Sequence, residues 1–255
     1  MKKRRIVIKL GSTTLTRGTD KISRGKLEDI ARQINDLNDQ NEIVIVTSGA
    51  IAAAKHYIEL NRGNPVAVKQ ALAAIGQPVL MRFYQEVFND YSIKIGQCLL
   101  TYRDFENELS RSNTLATINT LLENGYIPII NENDTIATDE IKFGDNDKLG
   151  ALTAVLLKAD LLILASDIDG VYDADPKSNA SAQLIHTVTD IQAIEHLQNG
   201  SSVSSLGTGG IKSKIEAARI CGEYSIEMWI VNGGYDGFAV KALNGEIAFT
   251  AFAVK

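Results

Sequence analysis

The fold is decided by the stretch from residue 43 to residue 54, which reads IVIVTSGAIAAA. Its first four residues are apolar and β-branched, a run that is typical of a parallel strand buried on both faces. The polar tip Thr47-Ser48-Gly49 ends that strand, and the alanines after it favour a helix. A strand that passes directly into a helix is half of a strand–helix–strand unit, so this stretch predicts a parallel sheet.

The same alternation continues outward in both directions. Before this stretch, IVIKL at residues 6–10 predicts a strand, and apolar residues from Leu27 to Leu37 recur with the period of a helix. Further strands are predicted after it, at residues 93–100, 126–130, 161–165, 228–231 and 247–254. This order predicts an α/β fold, a three-layer αβα sandwich around a mainly parallel sheet.

Prolines and capping residues predict where helices begin. Pro65 and Pro78 are each expected to open a helix, because the missing N–H of proline is not needed in the first turn. Ser112 is the expected N-cap of a helix that runs to Asn124, with Gly125 as its stop. The segment from residue 65 to residue 124 is therefore predicted to hold three helices.

Composition excludes several classes of protein. The chain has 255 residues with 45% hydrophobic and 22% charged residues, which is ordinary for a globular protein with a sizeable core. The net charge of −5 argues against a nucleic-acid-binding protein, which would carry a basic excess. No repeat or Pro/Gly/Ser linker divides the chain, so we predict a single domain over residues 1–255, within which two lobes can be distinguished.

Targeting and redox signals predict a cytoplasmic protein that does not enter membranes. The basic start at residues 2–5 is followed by too short an apolar run for a signal peptide, and no stretch approaches the ~20 apolar residues of a membrane span. Cys98 and Cys221 form no CxxC pair, which is typical of free thiols in a reducing compartment.

Polar segments, most of them with a glycine, follow several of the predicted strands. They lie at residues 9–12 (KLGS), 47–49 (TSG), 131–134 (NEND), 166–167 (SD) and 232–234 (NGG). Each one taken alone is more often a turn or a helix cap. Ligands of such folds bind beyond the carboxyl ends of the strands, so the recurrence of these segments predicts a ligand site at that edge.

Two further loops are rich in possible ligand contacts. The small residues of SSLGTGG at 204–210 lead into a helix with Lys212 and Lys214, an arrangement that can hold a phosphate group, although a flexible linker is an equally good interpretation of this segment alone. The segment KFGDNDK at 142–148 is either a turn with a helix cap or a set of donors and acceptors for a polar substrate. Walker A and Rossmann motifs are absent.

The sequence does not support metalloenzyme or hydrolase chemistry. The three histidines have no metal-ligand spacing, and no GxSxG motif occurs. The aspartates between residues 167 and 175 do not form an EF-hand loop, because Tyr172 and Ser178 stand where glycine and glutamate are required. No metal-ligating residues are therefore predicted.

Taken in order, these segments resemble the amino acid kinase family. The resemblance rests on residues 8–12 (IKLGS), 46–51 (VTSGAI), 69–77 (KQALAAIGQ), 131–134 (NEND), 144–147 (GDND), 169–172 (DGVY) and 207–210 (GTGG), with Lys214 beyond them. It covers nearly the whole chain and is strongest to the members that phosphorylate the side-chain carboxylate of L-glutamate. Many bacterial members add a C-terminal PUA domain, which we expect to be missing because the sequence ends where that domain would begin.

The resemblance implies that the γ-phosphoryl group of ATP is transferred to this carboxylate. The product would be L-glutamyl 5-phosphate, the first intermediate toward proline. ATP is then the co-substrate, and Mg²⁺ is carried mainly by its phosphates. A glutamate side chain has a reference pKa of about 4.3 and is ionised at neutral pH, so the acceptor needs no general base.

The resemblance also implies the roles of individual residues. Lys9 and Lys214 would neutralise charge on the moving phosphoryl group, and Asp147 would orient them. Ser48 and Asn146 would hold the carboxylates of glutamate. The carboxylate of Asp134 would pair with its α-ammonium group. ATP would be bound by Lys9, Gly11, Ser12, Ser166, Asp167, Thr208, Gly209, Gly210, Ile211, Lys212, Ser213 and Lys214.

Further family properties are implied in the same way. The N-terminal part would bind the amino acid and the C-terminal part the nucleotide. The chain would form a homo-oligomer, a dimer or a tetramer, and proline would inhibit it by feedback. Neither nucleic acid nor membrane is an expected partner.

Two alternatives stay open at this point. A kinase of the same fold could act on N-acetylglutamate, aspartate, carbamate or a nucleotide monophosphate, although Asp134 favours a substrate with a free ammonium group. A non-catalytic amino-acid sensor would bind ligands without turnover, which the complete set of Lys9, Asp147 and Lys214 disfavours.

Overall fold

The computed structural model describes residues 3–55, 57–60, 62–137, 146–176, 178–179, 181–199 and 210–253. The strands are β1 (Arg4–Leu10), β2 (Asn41–Thr47), β3 (Lys94–Leu100), β4 (Tyr126–Glu132), β5 (Leu161–Ser166), β6 (Thr187–Val188), β7 (Glu227–Asn232) and β8 (Thr250–Phe252). The helices are α1 (Ser12–Thr16), α2 (Arg24–Leu37), α3 (Ala50–Lys55), α4 (Pro65–Asp90), α5 (Tyr102–Glu106), α6 (Glu108–Glu123), α7 (Asp147–Leu157), α8 (Ile211–Glu223) and α9 (Phe238–Leu243), with a 3₁₀ helix at Gln192–Asn199.

These strands form one sheet in the order β3-β4-β2-β1-β5-β7-β8-β6. The first six in this order pair in parallel, whereas β8 runs antiparallel to β7 and carries β6 beside it. The register aligns the carboxyl ends, since Leu10 lies opposite both Thr47 and Ala165. The prediction of a mainly parallel sheet is confirmed, and the polar strand tips share one edge.

Helices cover both faces of the sheet, which confirms the three-layer prediction. Alternate residues of β1 enter different cores. Ile6 and Ile8 belong to the core that the sheet forms with α2, α4 and α9. Val7 belongs to the core on the other face, formed with α6, α7 and α8. Among the described residues, no helix combines the length and the apolar character that crossing a bilayer requires.

Two of the predicted helix starts are wrong. Pro78 lies inside α4, which continues from residue 65 to residue 90. Packing against α3 holds this helix together despite the missing N–H, and the contact is so close that a Cβ at Gly76 would overlap the carbonyl oxygen of Ala50. Ser112 lies inside α6, whose N-cap is Asn107; the Asn107 side chain accepts a hydrogen bond of 2.9 Å from the backbone N–H of Ser110.

The last predicted strand is longer than the observed one. The apolar run at residues 247–254 predicts a strand over its whole length, but β8 spans three residues. These residues are the ones that pair with β7, from Thr250 opposite Ile230 to Phe252 opposite Met228. The apolar run at residues 247–254 is therefore longer than the part of it that pairs with a neighbouring strand.

Candidate active site

Lys9 lies near the end of β1, so its ammonium group is at the polar edge of the sheet. It is next to the last residue of the strand and lies on the same face as Val7, toward α7 and α8. The side chain is buried, with 5% of the residue exposed. The facing residue of α7 is Gly150, and a Cβ built there would lie 3.4 Å from the Cβ of Lys9, which is ordinary van der Waals contact. Strand alternation thus places the lysine against α7.

Asp147 joins two lysines that lie far apart in the sequence, Lys9 and Lys214. Its Oδ1 lies 2.6 Å from the Nζ of Lys9, and its Oδ2 lies 3.1 Å from the Nζ of Lys214. The hydroxyl of Ser213 donates a third bond of 3.1 Å to Oδ2. Asp147 is the first residue of α7 and is 1% exposed, so a helix N-terminus also stabilises its negative charge.

The charges of this trio do not cancel. Two ammonium groups share one carboxylate, so the cluster of Lys9, Asp147 and Lys214 carries one net positive charge in a poorly hydrated place. Lys214 also stands in the first turn of α8, where the helix dipole disfavours a cation. An anion that approached these buried ammonium groups would be attracted more strongly than in water.

A second polar group lies beside the trio and consists of amides. Asn146 directly precedes Asp147, and its Nδ2 donates to the carbonyl of Thr47 at 2.6 Å and to the Oδ1 of Asn131 at 2.9 Å. The Nδ2 of Asn131 donates in turn to the Oε1 of Gln77 at 2.7 Å. The tips of β2 and β4 are thereby tied to the start of α7.

Ser48 and Asp134 lie in the loops that follow these two strands. The backbone N–H of Ser48 donates to the carbonyl of Leu10 at 3.1 Å, which joins the ends of β2 and β1. Asp134 is half-buried and stands two residues after β4. Its loop is anchored to α4, since the Nε2 of Gln70 donates to the carbonyl of Thr135 at 3.1 Å.

The predicted nucleotide-binding residues occupy neighbouring loops. Gly11 is the N-cap of α1 and Ser12 is its exposed first residue. Ser166 ends β5, and its hydroxyl donates to the exposed Asp167 at 3.2 Å. The remaining described members of the set lie at the start of α8, namely Gly210, Ile211, Lys212, Ser213 and Lys214. The predictions for Thr208 and Gly209 lie outside the described residues.

A family model agrees with this geometry over most of the chain. The model described as "Amino acid kinase family" matches residues 4–232. The chain belongs to the amino acid kinase family. The matched range includes the ends of β1, β4, β5 and β7 and the starts of α7 and α8, which together form the polar edge described above.

Two relatives with similar sequences are glutamate 5-kinases. The chain is similar to glutamate 5-kinase of Clostridium acetobutylicum, with 45% identity over 98% of this chain and 95% of the relative. It is similar to glutamate 5-kinase of Geobacter metallireducens at 42% identity, over 98% of this chain and 68% of that one.

Solved structures share the fold of this amino acid kinase at lower identity. UMP kinase from Ureaplasma parvum superposes with a TM-score of 0.68 at 20% identity, over 99% of this chain and all of that one. An isopentenyl phosphate kinase gives 0.65 at 19% identity, over 98% of this chain and 100% of that one. These two likenesses show the fold.

Sequence reasoning assigned no role to several polar residues that lie at this edge of the kinase. Asn131 and Gln77 fall within segments that carry the family resemblance, but neither was assigned to the site. Asp169 accepts hydrogen bonds from Asn232 at 2.9 Å and from the hydroxyl of Tyr172 at 3.1 Å. The charge of Asp169 raises the pKa of Tyr235, and burial together with Asp169 raises the pKa of Tyr172. The signal available for Asn131 and Asn232 is their position at strand ends, whereas Gln77 lies within a helix and has no such local signal.

The described part of this kinase offers no ready metal cage. Within residues 3–137, 146–199 and 210–253, apart from their short gaps, no three His, Cys, Asp or Glu side chains could together hold a metal ion. What the edge does offer is cationic groups for an anion and amide and carboxylate groups for a polar substrate.

Proposed function

We propose that this kinase transfers the γ-phosphoryl group of ATP to the side-chain carboxylate of L-glutamate. The observation that carries the proposal is the carboxylate of Asp147 shared by Lys9 and Lys214, with the amide of Asn146 directly beside it. Cationic groups for a phosphoryl group and polar groups for an amino acid thus meet at one point. The name of the relatives at 42–45% identity supports glutamate as the acceptor.

The reaction depends on stabilising the negative charge of the transferring phosphoryl group more than on transferring a proton. A carboxylate oxygen of glutamate attacks the γ-phosphorus, the bond from this phosphorus to the β,γ-bridging oxygen breaks, and glutamyl 5-phosphate and ADP result. The acceptor is already ionised at neutral pH, since its reference pKa is about 4.3. What remains is to bring two anions together and to stabilise the negative charge of the transferring group.

Lys9 and Lys214 supply this stabilisation in the proposal. Their ammonium groups approach from β1 and α8, two elements that the sheet and its helix layer hold in place, so little reorganisation is needed when charge develops. Asp147 keeps both ammonium groups directed to one point. Mg²⁺ enters with the nucleotide as part of the MgATP substrate.

The two substrates occupy neighbouring parts of the polar edge in the proposal. Glutamate is bound by Ser48, Asn146 and Asp134. The carboxylate of Asp134 pairs with the α-ammonium group of glutamate. ATP extends toward the ends of β1 and β5 and the start of α8. Apart from Lys9, Gly11 and Ser12, the residues for the nucleotide thus come later in the chain than those for the amino acid, within one domain.

Turnover with a panel of acceptors tests the proposal. ADP release is measured with MgATP and L-glutamate, N-acetylglutamate, L-aspartate, carbamate or UMP, and hydroxylamine traps the acyl phosphate as a hydroxamate. We expect glutamate-dependent ADP release and hydroxamate formation. Activity with N-acetylglutamate and none with glutamate would refute the acceptor, and binding of glutamate without any turnover would indicate a sensor.

Three family properties stay predictions. We propose that the protein is a homo-oligomer, that proline inhibits it, and that it works in the cytoplasm, where ATP and glutamate are supplied. Light scattering of the purified chain tests the first, and a proline titration of the glutamate-dependent rate tests the second.

A further inference from the structure

Three amides form a chain that leads from helix α4 to the proposed glutamate site. Gln77 of α4 accepts from Asn131 at the end of β4, and Asn131 accepts from Asn146 at the start of α7. All three residues are at least nine-tenths buried, with 9%, 2% and 7% exposure. Gln77 is the member that no role has yet explained.

The backbone decides which way each amide points. The N–H of Glu132 can only donate, and it donates to the Oδ1 of Asn131 at 2.9 Å. The Nδ2 of Asn131 is therefore on the opposite side, where the group facing it must be an acceptor. Gln77 meets this requirement by presenting its Oε1 at 2.7 Å.

The same logic orients Asn146. The carbonyl of Thr47 can only accept. The Nδ2 of Asn146 donates both to this carbonyl and to the Oδ1 of Asn131. An amide nitrogen has two hydrogens, so these two bonds use both of them. Asn146 retains an acceptor, its Oδ1, and no donor for a ligand. An acceptor suits an ammonium group and does not suit a carboxylate.

Gln77 lowers the stability of the fold. Within the described residues its Nε2 is buried and donates to no acceptor. A buried donor without a partner lowers stability, and an apolar side chain of similar volume would avoid this. The hydrogen bond that an apolar side chain could not form is the one that the Oε1 of Gln77 accepts from Asn131.

We propose that Gln77 is a positioning residue for the amino-acid substrate. By accepting from the Nδ2 of Asn131, it holds Asn131 in the position from which Asn131 accepts from Asn146, and the Oδ1 of Asn146 is then turned to the α-ammonium group of the substrate. This inference rests on the proposed function and changes one part of it: Asn146 joins Asp134 in recognising the ammonium group, and Ser48 is left to the carboxylates.

The variant Gln77→Met tests the inference, because methionine fills the space and removes the acceptor. We expect the KM for glutamate to rise about tenfold, which corresponds to about 1.4 kcal/mol, with KM for ATP unchanged. The inhibition constant of glutarate, which lacks the amino group, should stay the same. The melting temperature should change little, since the buried unpaired Nε2 of Gln77 is removed while the buried Nδ2 of Asn131 loses its acceptor.

Thr153→Val is the matched control. Thr153 of α7 is fully buried and its Oγ1 is also without a hydrogen-bond partner among the described residues, but it is not part of the amide chain. This variant should leave KM for glutamate unchanged.

The outcomes separate the two proposals. Absence of glutamate turnover in the unchanged protein would overturn the proposed function and this inference with it. Normal glutamate turnover with an unchanged KM in Gln77→Met would overturn the positioning role alone. A parallel rise in the glutarate constant would also overturn it, because recognition of the amino group would then not be what was lost.

Discussion

Replacing Lys214 by methionine removes a positive charge from the proposed phosphoryl site and keeps most of the side-chain volume. The fold should tolerate the change, because the carboxylate of Asp147 keeps its ion pair of 2.6 Å with Lys9 and the hydrogen bond from Ser213. The variant therefore tests the contribution of one ammonium group to the transition state more than it tests stability.

The burial of Lys214 sets the expected size of the effect. Two unit charges about 4 Å apart interact by about 4 kcal/mol at an effective dielectric constant of about 20, but by only about 1 kcal/mol in water. Lys214 is 5% exposed and lies in the first turn of α8, so the larger value applies. A loss of this size corresponds to a fall in kcat of about 10²–10³, as for other preorganised groups that stabilise developing charge.

Coupled ADP release at saturating MgATP and glutamate measures this fall. KM for glutamate should change little, since the lysine acts on charge that develops in the transition state. Lys148→Met is the control: Lys148 lies on α7 and forms an exposed ion pair of 3.2 Å with Glu216, which contributes little. A kcat for Lys214→Met within about tenfold of the unchanged protein would place the lysine outside the reaction, because a solvent-exposed charge would account for that effect.

Three further predictions concern binding, thiol chemistry and packing. Asp134→Ala should raise KM for glutamate about 10- to 100-fold with little change in kcat, through the loss of a charged hydrogen-bond partner of the ammonium group, and a normal KM in steady-state kinetics would contradict that role. Burial raises the pKa of the Cys221 thiol to about 12, so near pH 8 Cys221 is almost entirely a thiol; its reaction with a disulfide reagent should be slow until the protein unfolds, and rapid labelling of Cys221 in the folded protein would contradict this burial. Gly76→Ala should lower the free energy of unfolding by about 1–3 kcal/mol, because its Cβ would overlap the backbone of Ala50, and an unchanged denaturant midpoint would show that α3 can move away.

The layer architecture was predictable because burial on both faces leaves a simple pattern. Strands such as β1, β2 and β5 appear in the sequence as continuous apolar runs, since each face of the parallel sheet carries helices. Boundaries were less predictable. Pro78 was expected to begin a helix, but packing of α4 against α3 outweighs one missing hydrogen bond, and nothing near Pro78 in the sequence shows that contact.

The candidate site shows the same division. Polar residues after successive strands predicted that Lys9, Asn131 and Ser166 would lie at one edge, because parallel strands all end there. The family resemblance connected Asp147 with the lysines. Gln77 could not be assigned, because it stands within a helix and its partner Asn131 comes from a strand 54 residues later.

By itself the sequence determined the alternation of strands and helices, that helices cover both faces of the sheet, and which polar segments follow its strands. These properties depend on hydrophobic patterns that extend over many residues and tolerate small shifts. The tertiary structure alone decided that Lys9 and Lys214 share the two oxygens of Asp147, and that the Nδ2 of Asn146 donates to both Thr47 and Asn131. Hydrogen bonds and ion pairs form only within about 3 Å and in defined directions, so they depend on how separate elements pack, which no local pattern records.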